Sequence, residues 1–97
     1  MKDRATSTPS TPSQVRLIGK PGCHLCDEAR AVVSAECRRA GVELSEVSIL
    51  DDPALHEQFW DRIPVVQVDG TTVEQLRVDP ARLRALLRPG RRRRLLW

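Results

Sequence analysis

Two cysteines separated by two residues, Cys23 and Cys26, are the part of this sequence best suited to chemistry. They follow a short apolar run and precede apolar residues at helical spacing, which predicts that both lie in the first turn of a helix. Backbone N–H groups without helical partners and the positive end of the helix dipole favour a thiolate there. A thiolate with a second thiol within reach is the smallest set of groups that can carry out thiol–disulfide exchange.

The elements that must position these thiols are separated by clear turn signals. Residues 15–18 form a short apolar run that predicts a buried strand, and Gly19-Lys20-Pro21-Gly22 predicts the loop after it. Apolar residues from Leu25 onward follow a helical stripe, and Gly41 stands where a glycine commonly ends a helix. Residues 42–50 alternate well enough to predict a second strand.

A short second helix and a hairpin are predicted next. Asp52 can cap the helix and Pro53 suits its first turn. The apolar residues of this helix are Leu55, Phe59 and Trp60. Residues 63–68 then predict a strand with Pro64 near its start, and Asp69-Gly70 is typical of a hairpin turn.

A returning strand over residues 72–78 and a last helix complete the order of elements. Asp79-Pro80 repeats the cap and first-turn proline, and Pro89-Gly90 is expected to end the helix. Its apolar face contains Leu83, Leu86 and Leu87. The order β-α-β-α-β-β-α predicts an α/β fold, in which a four-stranded mixed sheet carries helices on both faces.

Length and composition predict one small globular domain. The chain has 97 residues, of which 40% are hydrophobic and 30% charged. No apolar stretch approaches the roughly 18 residues of a membrane span, and the N-terminus lacks the apolar segment of a signal peptide. We therefore expect a cytoplasmic monomer with no membrane partner. In that setting, three cysteines favour redox or metal chemistry over a disulfide framework.

Charge and composition divide the chain into three parts. Residues 1–14 are rich in Ser, Thr and Pro, which predicts a disordered leader. Residues 15–90 form the domain, and residues 91–97 form a basic tail. The net charge of +3 includes four positive charges from Arg91 to Arg94, so the rest of the chain is slightly acidic. This distribution argues against nucleic-acid binding by the domain, and we expect the tail to be solvated.

The cysteine motif and the Ile-Pro pair together resemble the thioredoxin superfamily. In its small size the chain is similar to members of the glutaredoxin branch. The sequences of residues 17–26 and 63–66 are similar to those of the bacterial glutaredoxin-like small proteins. The resemblance covers residues 15–88. It implies that Cys23 is the exposed attacking thiolate and Cys26 the more buried resolving thiol of a thiol–disulfide oxidoreductase.

The resemblance also implies roles for the residues around the thiols. Pro64 would be a cis-proline that faces the disulfide, and the backbone of Ile63 would pair with an extended substrate. Lys20 matches a basic residue that many glutaredoxins place before the active site, where it can help a thiolate or a glutathione carboxylate. His24, between the cysteines, would lower the pKa of the Cys23 thiol when it is protonated, or would simply be a solvated first-turn residue.

One region departs from the glutaredoxins that bind glutathione. Those proteins usually carry a Gly-Gly turn and an acidic residue before the last helix, whereas residues 71–79 of this chain contain no glycine pair. We expect no bound cofactor. The expected co-substrate is glutathione or another low-molecular-weight thiol, and the expected substrates are disulfide-containing proteins or small thiols.

A non-catalytic binding module of the same fold is the alternative. Its two cysteines would hold a metal ion, or the Ile63-Pro64 groove would dock a partner protein. A zinc site generally needs four ligands, and Cys37 would lie about 16 Å along the helix from Cys26, too far to share an ion with it. We expect Cys37 to be a buried helix residue and His56 to be solvated.

Overall fold

The structure is a computed structural model that describes residues 14–87. These residues form a sheet, three α-helices and a short 3₁₀ turn. The elements in chain order are β1 (Gln14–Gly19), α1 (His24–Ala40), β2 (Glu43–Ser48), the 3₁₀ turn (Ile49–Asp51), α2 (Pro53–Phe59), β3 (Val65–Val68), β4 (Thr71–Gln75) and α3 (Pro80–Leu87). The predicted basic tail and all of the predicted leader except Gln14 lie outside the described residues.

The sheet has the strand order β2-β1-β3-β4. Strand β1 pairs in parallel with β2 through the α1 crossover and antiparallel with β3, while β3 and β4 form an antiparallel hairpin. This arrangement confirms the predicted α/β fold with a mixed four-stranded sheet. It also places the carboxyl end of β1, where the cysteine motif begins, beside the start of β3.

The core has two parts because alternate side chains of a strand point to opposite faces of the sheet. On one face, α1 and α3 pack against Val15, Leu17 and Val66. On the other, Ile18 and Val65 pack with Phe59 of α2. Helices therefore cover both faces, as predicted. Among residues 14–87, no helix is long and apolar enough to cross a membrane.

Short-range signals in the sequence correctly predict most of the turns. Gly41 ends α1 in the left-handed conformation, with φ of 72°, and its N–H donates to the Arg38 carbonyl. Asp52 accepts hydrogen bonds at the start of α2, and Asp79 accepts one from Ala81 N–H at the start of α3. Asp69-Gly70 forms the hairpin turn with positive φ at both residues.

Several element ends differ from the prediction. Strand β2 stops at Ser48, because the Ser48 hydroxyl accepts a hydrogen bond from Leu50 N–H and turns the chain into the 3₁₀ segment. Trp60 follows α2 instead of contributing to its buried face, and its side chain is 60% exposed.

The hairpin strands are also shorter than predicted. Strand β3 begins at Val65, after Pro64, and β4 covers Thr71–Gln75 instead of residues 72–78. Strand β4 ends at Gln75 because the next residue, Leu76, has a φ of 69°, whereas strand residues have a negative φ of about −120 to −140°.

Candidate functional site

Cys23 and Cys26 are joined as a disulfide across the first turn of α1, with their Cα atoms 5.2 Å apart. Cys23 is the N-cap residue, and its Sγ accepts a hydrogen bond from the backbone N–H of Cys26 at 3.2 Å. That N–H belongs to the first turn and has no carbonyl partner within the helix. The position can therefore stabilise negative charge on the Cys23 sulfur after the disulfide is reduced.

The two sulfur-bearing residues differ in burial. Cys23 is half-buried and packs at the edge of the apolar cluster below the motif. Cys26 is only 1% exposed and packs within that cluster, together with Ile18, Ile49 and Phe59. Cys23 is therefore reachable from solvent and Cys26 is sheltered, while their roles as attacking and resolving thiol stay predictions.

Gly19, the last residue of β1, gives Cys26 the space to pack there. A Cβ atom at Gly19 would lie 2.9 Å from Cys26 Sγ and 3.2 Å from Cys26 Cβ. A sulfur held in a disulfide has little freedom to move away. Sequence reasoning treated Gly19 only as a loop signal, although its place between an apolar strand and the cysteine motif could have indicated close packing.

The Ile63-Pro64 peptide bond is cis and lies beside the motif. Both residues are buried, and Ile63 belongs to the same apolar cluster as Cys26. Val65, the next residue, pairs with Ile18 of β1, immediately before Gly19. The structure therefore brings together the cysteine pair and the Ile-Pro pair, which are about 40 residues apart in the sequence.

Lys20 lies on a different side of the motif, at a cavity of about 310 Å³ between β1, α1 and β2. The wall of this cavity includes Cys26 together with both acidic and basic side chains. They are Lys20, Arg30, Glu46 and Asp51. Arg30 is already engaged, because it donates hydrogen bonds to Glu46 and Asp27 at 2.8 and 2.9 Å.

His24 projects into solvent from the first position of α1. Its Nε2 lies 2.9 Å from a carboxylate oxygen of Glu28, one helical turn along. The imidazole is thus held on the exposed surface of the helix. The predicted effect of His24 on the Cys23 thiol stays a prediction.

Cys37 and His56 lie where the sequence predicts them. Cys37 is a free thiol with 2% exposure in the core between α1, α3 and the sheet. Burial, together with the adjacent Glu36 carboxylate, raises the pKa of this thiol. His56 is exposed on α2. Among residues 14–87, no three His, Cys, Asp or Glu side chains are grouped closely enough to hold a metal ion.

Leu76 is a second residue that sequence reasoning missed. Its N–H donates to the carbonyl of Pro64 at 2.8 Å, which places it next to the cis peptide bond. Its φ is positive, yet it is neither glycine nor asparagine. No local signal in the sequence predicts this conformation, because the contact with Pro64 comes from the fold.

Comparison with known proteins adds a family match. The sequence profile of the Glutaredoxin-like domain (DUF836) matches residues 14–88. An uncharacterized protein of Mycobacterium tuberculosis (strain ATCC 25618 / H37Rv) is 30% identical over 77 residues, covering 74% of this chain and 79% of that protein. An uncharacterized protein of Mycobacterium bovis matches with the same identity and coverage.

Two solved structures are similar as well. The solution NMR structure of a protein from Nitrosomonas europaea has a TM-score of 0.68 and 24% identity, covering 82% of this chain and 96% of that one. An X-ray structure of a protein from X. campestris has a TM-score of 0.62 and 36% identity, covering 75% of this chain and 93% of that one. At 24% identity, the first likeness concerns the fold alone.

Proposed function

The chain belongs to the family of glutaredoxin-like domains, and we propose that it is a thiol–disulfide oxidoreductase that uses the Cys23–Cys26 pair. The observation that carries this proposal is the asymmetry of the two sulfurs. Cys23 caps the helix, accepts an N–H hydrogen bond and is reachable from solvent, whereas Cys26 is buried directly beneath it.

The proposed reaction begins with the reduced dithiol. The Cys23 thiolate attacks one sulfur of a substrate disulfide, so that a mixed disulfide forms and the first substrate thiolate leaves. Cys26 then loses its proton and attacks Cys23 Sγ, which releases the second substrate thiolate. Two electrons pass from the cysteine pair to the substrate, the two substrate thiolates take up protons from solvent, and the Cys23–Cys26 disulfide remains.

The helix N-terminus would favour both uses of Cys23. A lower thiol pKa increases the thiolate fraction available for attack, and it also makes Cys23 a better leaving group when the disulfide is reduced again. The regenerating thiol is proposed to be glutathione or another low-molecular-weight thiol. In the substrate complex, the backbone of Ile63 would pair with an extended segment of the substrate beside Pro64.

A trapping experiment tests this proposal. Reduced Cys26→Ser protein is mixed with hydroxyethyl disulfide, acid-quenched and analysed by peptide mass spectrometry, with Cys23→Ser as the matched control. We expect rapid formation of an adduct on Cys23 in the first variant, and no adduct on Cys26 at a comparable rate in the second. Adducts of equal abundance on Cys37 would contradict the proposal, since they would mean that the motif gives no special reactivity.

The pH dependence of alkylation provides an independent test. With iodoacetamide, the Cys23 thiol of the reduced protein should react with a midpoint below the value of about 8.5 for a free cysteine. A midpoint at or above that value would remove the proposed role of the helix N-terminus. A non-catalytic module would then become the better description.

A further inference from the structure

We infer that Leu76 contacts the substrate and selects polypeptide disulfides that carry an aliphatic side chain next to the reacting cysteine. The inference rests on the proposed function, because it names the substrate class of the same site.

The backbone at Leu76 is strained. With φ of 69°, the residue lies in a region that side chains with a Cβ atom rarely adopt. The N–H of Arg77 donates to the carbonyl of Gln75 at 2.7 Å, which closes a tight three-residue turn around Leu76. Strained residues of this kind concentrate at functional sites, where the surrounding structure holds them in place.

The strained turn is fastened to the active site by hydrogen bonds. The single N–H of Leu76 is shared between the carbonyls of Pro64, at 2.8 Å, and Arg62, at 3.3 Å. These acceptors flank Ile63, whose backbone is proposed to pair with the substrate. A change at Leu76 is therefore a change at the edge of the substrate groove, even though the residue follows the last strand of the sheet.

The side chain of Leu76 is presented to solvent although it is large and apolar. It is 48% exposed. It lines a groove of about 140 Å³ whose apolar wall consists of Leu25, Ala29, Val32, Leu76 and Val78. Because Leu25 lies between the two cysteines, this groove begins at the redox motif itself.

The size and charge of the groove indicate its occupant. A cavity of about 150 Å³ can hold a molecule the size of benzene, so this groove suits one aliphatic side chain. Its charged neighbours, Glu28 and Arg77, have opposite signs and give no preference for a charged substrate. A polypeptide joined to Cys23 and lying along Ile63 and Pro64 would bring the side chain adjacent to its own cysteine to Leu25 and Leu76.

The test compares two synthetic peptides with one intramolecular disulfide each. They differ only in the residues that flank the first cysteine, which are leucine in one and asparagine in the other. Reduced full-length protein is mixed with each peptide, and the second-order rate constant is measured by acid quenching. Wild-type protein should reduce the leucine peptide about tenfold faster, because part of an aliphatic side chain is removed from water on binding.

Substitutions at two exposed leucines then locate the preference. Leu76→Asn should reduce the preference to less than about threefold, because the apolar contact is lost while asparagine accepts a positive φ. Leu76→Gly repeats the test in case the first variant folds poorly. Leu50→Asn is the matched control, since Leu50 is also exposed but follows β2 at the opposite edge of the sheet, and it should retain the tenfold preference.

Two results would overturn the inference. One is equal rates for the two peptides with wild-type protein, and the other is an unchanged preference in both Leu76 variants. Failure of wild-type protein to reduce either peptide or hydroxyethyl disulfide would instead contradict the proposed function itself.

Discussion

At the N-terminal end of helix α1, Cys23 caps the helix at the protein surface, whereas near the other end Cys37 is enclosed by the core. The Cys23 sulfur accepts a hydrogen bond from a backbone N–H. The Cys37 sulfur is buried and lies near the Glu36 carboxylate. The same residue type is thus placed where a thiolate is favoured in one case and disfavoured in the other. Position on the helix, more than the presence of a thiol, therefore determines the chemistry expected of each cysteine.

Gly19 of β1 and Gly41 after α1 differ in a parallel way. Gly19, before the helix, is required by the nearness of Cys26, since a Cβ atom there would contact the sulfur. Gly41, after the helix, has open space around its Cα but a φ of 72°. One glycine allows the close packing of Cys26, and the other allows the helix to end.

The largest expected effect comes from substituting the cysteines themselves. Cys23→Ser should lower the rate of disulfide reduction to that of the uncatalysed background, because serine cannot form the mixed disulfide. Cys37→Ala should retain the wild-type rate, since Cys37 is buried in the core. Single-turnover reduction of hydroxyethyl disulfide measures both. A large loss of rate in the Cys37 variant, with its fold intact by circular dichroism, would show that the buried thiol also contributes to disulfide reduction.

Substitutions of Gly19 and Gly41 are expected to give the next largest effect. Gly19→Ala should lower the free energy of unfolding by about 1–3 kcal/mol through overpacking against Cys26. Gly41→Ala should cost about 1–2 kcal/mol because alanine is disfavoured at positive φ. Urea unfolding measures both losses.

The two glycine variants should differ in redox behaviour despite similar stability. Only Gly19→Ala is expected to change the rate at which Cys26 resolves a mixed disulfide on Cys23, because only that substitution moves the sulfur. Rapid acid quenching of the mixed disulfide follows this step. Equal resolution rates in both variants would show that the close contact at Gly19 has no part in the chemistry.

The smallest expected effect concerns the ion pair near Cys37. Arg84 donates two hydrogen bonds to the buried Glu36 carboxylate, at 3.0 and 2.8 Å, and they hold the pKa of Glu36 below its usual value. A lowered pKa in the folded state stabilises the protein above the unfolded carboxyl value of about 4.3, and this contribution is lost as the pH falls through the folded value.

Glu36→Gln should therefore destabilise the protein more at pH 7 than at pH 3. Glu46→Gln, which removes an exposed carboxylate, is the matched control and should show a smaller difference. Urea midpoints at the two pH values measure both. The same Glu36 substitution should speed alkylation of Cys37 slightly, because removing a nearby negative charge lowers the thiol pKa, although burial still dominates. A destabilisation independent of pH would contradict the role assigned to the ion pair.

Features that depend on neighbouring residues in the chain could be predicted from the sequence. The cysteine motif at the start of α1, the glycine at its end, the aspartate caps and the Asp69-Gly70 turn are confirmed, since each is encoded within a few residues. The sheet followed from these elements because a strand-helix-strand unit and a hairpin leave few arrangements.

Features imposed by distant contacts could not be predicted in this way. The end of β2 was missed for a local reason instead, because the alternating pattern continues through Ile49 while the Ser48 hydroxyl accepts a hydrogen bond from Leu50 N–H. The positive φ of Leu76 depends on carbonyls of the loop before β3, and the close packing of Cys26 on Gly19 depends on how α1 meets the sheet. Both contacts lie at the candidate site.

The most direct test of the central claim is a redox titration of the wild-type protein against glutathione buffers, with acid trapping and mass readout. A single two-electron transition of the Cys23–Cys26 pair between roughly −180 and −270 mV, with Cys37 unmodified throughout, is the predicted result. A Cys23–Cys26 disulfide with a reduction potential well below about −300 mV would be a structural bridge, and that result would contradict the account.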